Sequence, residues 1–134
     1  GTTSAQYPLG ALYYLGQGEP EDEKLAILRW KIAAGKGATD AMYQLGSAYL
    51  FGSQAGKTVP DPYREAATWY FQAACADHAE SQYHLGLLFL AGKGVVESRA
   101  EATRWMRKAA EQGHPEAIRT LTKIESGKRG LHPN

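Results

Sequence analysis

The stretch YQLGSAYLFG, residues 43–52, decides the reading of this chain. Its apolar side chains occupy nearly every face of a helix, and a glycine, Gly46, interrupts the run. A lone surface helix has no use for either feature, since it needs one apolar stripe toward its core. Closely similar text stands earlier as YPLGALYYLG at 7–16 and later as YHLGLLFLAG at 83–92. Leu9-Gly10, Leu45-Gly46 and Leu85-Gly86 lie 36 and 40 residues apart, each followed at fixed distance by Gly16, Gly52 or Gly92. Alanine pairs recur at Ala33-Ala34, Ala73-Ala74 and Ala109-Ala110, now 40 and 36 apart. The four extra residues of the middle unit therefore fall in SQAGKTVPDPYRE, 53–65. A period of this size marks an array whose units bury their cores only against each other.

Each unit holds two helical patterns. Ala66, Trp69, Tyr70, Ala73 and Ala74 follow the i, i+3, i+4, i+7, i+8 template, as do Ala102, Trp105, Met106, Ala109 and Ala110. In the first unit the matching set is Ala26, Arg29, Trp30, Ala33 and Ala34, with tryptophan one place along. This second helix is expected to use Trp69 and Trp105 as packing residues. The first helix carries a core stripe of Ala41, Leu45, Ala48 and Tyr49, matched by Ser81, Leu85, Leu88 and Phe89. Gly46 costs helix propensity, about 1 kcal/mol against alanine, which close approach of the second helix would offset. Gly16, Gly52 and Gly92 are expected to end the first helices in left-handed conformation. Helices are predicted near 8–16, 22–36, 38–52, 62–77, 79–92, 98–113 and 115–126, with no strand. They group as repeats at about 5–40, 41–80 and 81–116, a capping helix at 117–126 and a loose tail at 127–134.

The remaining bounds are consistent with one domain of 134 residues. Fifteen basic against 14 acidic side chains give a net charge of +1, which calls for no nucleic-acid partner. No apolar run approaches the roughly 20 residues of a membrane span. Cys75 is the only cysteine, so no internal disulfide forms. No signal-peptide pattern opens the chain, which begins at glycine; its native start and its compartment stay open.

AMYQLGSAYLFG with EAATWYFQAA, and YHLGLLFLAGKGV with EATRWMRKAAEQG, resemble the Sel-1-like repeat family, a branch of the tetratricopeptide-like α/α solenoids. The resemblance covers residues 5–121. It implies an all-α, right-handed α/α superhelix of three helix–turn–helix repeats plus a C-terminal capping helix. It also implies a role in protein–protein interaction, often as an adaptor or regulator in bacteria, with no shared catalytic residues.

Candidate chemistry is sparse. AGKT at 55–58 has the ending of a phosphate-binding loop, but Gly52 lies four residues before Gly56 where five are required, and the segment follows a helix instead of a strand. An extended inter-helix loop fits better. His78 and His114 fall in one inter-repeat turn column with Ala38 and are expected to face solvent. His84 has no second ligand at helical spacing, and Cys75 reads as a small, half-buried side chain without a base beside it. No catalytic residue, metal site or cofactor is expected, and the chain is not expected to be an enzyme.

A second stripe of the first helices is not needed by the core: Tyr43, Ser47, Leu50 and Phe51, matched by Tyr83, Leu87 and Leu90 and, in the first copy, by Tyr7 and Tyr14. In the implied solenoid these line the concave groove. One reading gives the tyrosines a packing role between repeats; the other makes the strip a site for a partner protein or peptide. The expected function is an adaptor, regulator or inhibitor of immunity type, a monomer or weakly self-associating. A self-associating scaffold is the alternative, and an enzyme without a recognisable motif the third.

Overall fold

The computed structural model describes residues 20–52 and 55–130, and every described segment of regular structure is helical. In chain order these are α1 (Pro20–Gly35), α2 (Thr39–Phe51), a short 3-10 helix (Ala55–Thr58), α3 (Pro62–Cys75), α4 (Ala79–Ala91), α5 (Arg99–Glu111) and α6 (Pro115–Gly130). The predicted helix near 8–16 lies outside the described residues. The other six stand within a few residues of expectation, except that α6 runs on to Gly130 where a loose tail was expected from 127.

Packing is sequential: α2 lies on α3 and α4 on α5 within repeats, while α1–α2, α3–α4 and α5–α6 join one repeat to the next. The core stripe of α2 is buried as its spacing requires, with Ala41, Leu45 and Ala48 at 0% exposure and Tyr49 at 4%. Gly46 faces the ring of Tyr70, where a Cβ would stand 2.8 Å from Cδ1. Gly86 similarly faces Met106, whose Cε would be 3.0 Å away. The two glycines thus let the first and second helices approach along the deepest column, formed by Trp30, Tyr70 and Met106, all fully buried. Trp105 is buried and Trp69 is half-buried against the same core, so both pack as expected, while the displaced Trp30 of the first unit is fully buried.

Helix ends explain the repeat punctuation. Gly37, Asp77 and Gly113 all have positive φ, and the carbonyls before them receive paired bonds. After α1, Gly37 N–H donates to Ala34 O and Ala38 N–H to Ala33 O, with the same pattern at Asp77/His78 and Gly113/His114. These are Schellman closures of the second helices, and they need the alanine-pair carbonyls. The first helices end differently from each other. Gly92 is left-handed as expected, whereas Gly52 is extended at φ −70°, ψ 152°. Gly52 is needed for closeness instead: a Cβ would lie 2.5 Å from Ala48 O and 2.9 Å from Glu23 Oε2. At the starts, Asp61 caps α3 by accepting Arg64 N–H ahead of Pro62, and Ser98 caps α5 through Glu101 N–H.

Candidate functional site

The first-helix face is built by α2 and α4, with α6 continuing it. Tyr43 is half-buried, its ring 6.0 Å from Tyr70, 5.1 Å from His78 and 5.8 Å from His84. Burial pushes its phenol above the usual value, Glu80 adds to this, and a hydrogen bond with Ser47 opposes it. Tyr83, one repeat on, stacks on His114 at 4.8 Å and meets His84 edge-on at 5.3 Å. Both tyrosines therefore pack between repeats while keeping part of their surface exposed.

The other stripe residues divide. Ser47 is 3% exposed, and its hydroxyl shares a 2.9 Å hydrogen bond with the Tyr70 hydroxyl, so it is not presented to a partner. Leu50 is half-buried and helps to line a pocket of about 230 Å³ with Tyr49, Lys57, Pro62 and Tyr63. Leu87 and Leu90 are half-buried against the cluster of Met106, Ala109 and Ala117. Phe51 remains 64% exposed, touching His84 edge-on at 6.3 Å. Tyr7 and Tyr14 lie outside the described residues.

His78 and His114 are struts between repeats, not the solvent-facing turn residues expected from their column. His78 Nδ1 accepts the Ser81 N–H at 3.2 Å, capping α4, so its proton sits on Nε2, which lies 3.2 Å from Asp40 Oδ1 of the preceding repeat. His114 repeats the device: Nδ1 accepts Ala117 N–H at 3.1 Å, and Nε2–H donates to Glu80 Oε1 at 2.6 Å. Its side chain is 8% exposed. Glu80 Oε2 also receives His84 Nε2–H at 3.3 Å, and His84 stacks on Tyr70 at 5.2 Å. Burial holds the His84 imidazole below its ordinary pKa against the pull of the Glu80 charge and hydrogen bond; His114 and His78 add smaller downward pushes. The sequence did carry a signal. His78 and His114 stand 36 residues apart, each two residues before a glutamate in a helix's first turn.

Ala55–Thr58 is a 3-10 helix whose first N–H donates to the buried Glu23 carboxylate at 2.7 Å, where a phosphate-binding loop would offer that group to its ligand. Cys75 is exposed, not half-buried, because it lies on the outer side of α3 beyond the alanine pair. Among the described residues no cluster of three or more His, Cys, Asp or Glu could hold a metal ion, and no helix is long and apolar enough to cross a membrane.

The Sel1 repeat family model matches residues 3–37, 39–78 and 79–114. Chitin synthase regulatory factor 4 of Schizosaccharomyces pombe is 33% identical over 94% of this chain, which spans 19% of that protein. An exopolysaccharide production negative regulator of Rhizobium leguminosarum bv. viciae is 28% identical over 92% of this chain, which spans 50% of that protein. The crystal structure of a Sel1 repeat protein from Oxalobacter formigenes superposes with a TM-score of 0.73 at 34% identity, covering 90% of this chain and 88% of that one. Three matched repeats, helix pairs closed by the same turn and a shared all-α solenoid architecture place this chain in the Sel1 repeat family.

Proposed function

We propose that the chain is a protein-interaction module, an adaptor, regulator or inhibitor that holds a partner protein or peptide along its first-helix face. Phe51 carries this reading. A large aromatic side chain left 64% exposed, on a first helix of the face that also carries half-buried Tyr43, Tyr83, Leu87 and Leu90, is the kind of anchor that dominates protein interfaces. In the sequence, Tyr7 and Tyr14 stand at the repeat positions of Tyr43 and Leu50. The regulator names of the S. pombe and R. leguminosarum relatives support the class, and they accord with a repeat protein that acts by binding instead of catalysis.

The test compares capture of one purified binding partner by three forms of the protein. Phe51→Ser with Leu87→Ser is expected to abolish capture with helicity retained, each anchor contributing about 2 kcal/mol. Changing Arg104 and Lys108 on α5 is expected to leave that capture intact. The converse pattern moves the site to the second-helix face.

Self-association is the second reading, favoured by one observation. Leu25, Leu28 and Ile32 on α1 are 39%, 55% and 46% exposed, where the later repeats carry Glu65, Thr68 and Gln72, then Glu101, Arg104 and Lys108. Light scattering over a concentration series, with Leu28→Ser as the control, decides it: a mass that rises in the parent and not in the variant makes this chain a self-assembling one.

A further inference from the structure

One pocket occurs twice, a repeat apart, with opposite linings. The first, about 300 Å³, lies between α3 and α4 and is walled by Ala67, Phe71, Leu85, Phe89 and Val95, with Arg64 and Thr68 beside them. Moving 36 residues along the chain leads to the second, about 350 Å³, between α5 and α6, lined by Arg99, Thr103, Arg104, Arg107, Ile124 and Glu125. Thr68 has become Arg104, Phe71 has become Arg107, and Phe89 has become Glu125. Trp105 stands between the two: Phe71 meets its ring edge-on with centroids 6.0 Å apart, and the Arg104 guanidinium lies 4.9 Å over the same ring.

Two of the arginines are paired. Arg104 is 3.2 Å from Glu101, and Arg107 is 2.9 Å from Glu125. Three guanidiniums against these two carboxylates leave a positive surplus of one, and each guanidinium has more donors than one carboxylate oxygen uses. An apolar pocket able to receive a side chain thus adjoins a cationic one able to receive carboxylates. Phe71 and Arg104 meet the same Trp105 ring at 6.0 and 4.9 Å from its centre, so an extended chain passes from one to the other in roughly three residues.

We propose that the two pockets form a second docking surface, distinct from the first-helix strip, for an acidic peptide segment. An apolar anchor enters the α3/α4 pocket, and acidic side chains about three residues away pair with Arg99, Arg104 and Arg107. Charge complementarity selects this occupant: a basic segment with the same anchor meets the arginine surplus.

Fluorescence polarisation with a panel of short fluorescein-labelled peptides tests it. The panel pairs a Phe or Leu anchor with two Glu three residues on, with two Lys at that place, or with Ser replacing the anchor. The anchor–Glu peptide is expected to bind, to weaken with added salt, and to lose about tenfold in affinity with Arg99→Gln and Arg104→Gln together. Phe71→Ser, at a side chain already 49% exposed, is expected to weaken it as well, and Phe51→Ser to leave it unchanged. Equal or tighter binding of the Lys peptide, affinity indifferent to both sets of variants, or no binding of any peptide at millimolar concentration overturns the proposal.

Discussion

Trp30 illustrates how much one residue's place in the column matters. At full burial against the first-helix core, its truncation to alanine removes many contacts that neighbouring helices cannot recover by collapsing. Trp30→Ala is therefore expected to cost about 3–5 kcal/mol. Trp69→Ala, at a half-buried position, is expected to cost clearly less, and Arg29→Ala less again. Thermal melts of the three variants check the order; equal losses for Trp30 and Trp69 would mean that the deepest column is wrongly placed. The glycines obey the same logic. A methyl at Gly46 presses on the rigid, hydrogen-bonded Tyr70 ring, while one at Gly86 mainly meets the flexible end of Met106. Gly46→Ala is accordingly expected to lower the melting temperature more than Gly86→Ala does.

Among the elements, the three inter-repeat turns share one backbone solution with unequal side chains. Gly37 and Gly113 take positive φ without strain, and Asp77 takes φ 68° in the same column. No neighbouring atom lies within 4 Å of the Cβ position at either glycine, so the demand is on the dihedral alone. Asp77→Gly is expected to stabilise the protein by about 0.5–1 kcal/mol, since the left-handed region disfavours a side chain by more than the extra chain entropy offsets. The N-cap positions differ too: His78 and His114 cap α4 and α6, whereas Ala38 caps α2 with no side-chain bond. Ala38→Ser is expected to add about 1 kcal/mol by accepting an open N–H of the first turn. Urea denaturation of each variant reads both effects, and a loss of stability in either would refute the turn assignment concerned.

Over the whole molecule, the imidazole network links neighbouring repeats and ties stability to pH. His84 is neutral in the fold because burial lowers its pKa below 6.5, so the unfolded chain binds its proton first as pH falls. The stability it contributes is complete above about pH 6.5 and is lost as pH drops from there toward the folded value. The melting temperature is expected to fall between about pH 7.5 and pH 5.5, and to fall less in His84→Gln, which copies Gln44 of the preceding repeat. An identical drop in both proteins removes His84 from the account. Asp40, Glu80, His78 and His114 face the same network and are present in both proteins, so the difference isolates the one ring.

Among the described residues, periodicity alone determined the six α-helices, the pairing of first with second helices and the use of Gly46 and Gly86 as contact points, because a repeated core writes its spacing directly into the chain. It also marked Tyr43, Leu87 and Phe51 as surplus to the core within one repeat. Which of them stays exposed depended on neighbours one repeat away. His84 and Tyr70 cover much of Tyr43, the Tyr70 hydroxyl takes up Ser47, and Phe51, the last residue of α2, stays exposed. The histidine struts and the paired pockets belong to the same class. They join side chains 18–38 positions apart in sequence, such as His78 with Asp40 and Arg107 with Glu125, and only helix packing brings those groups within bonding distance.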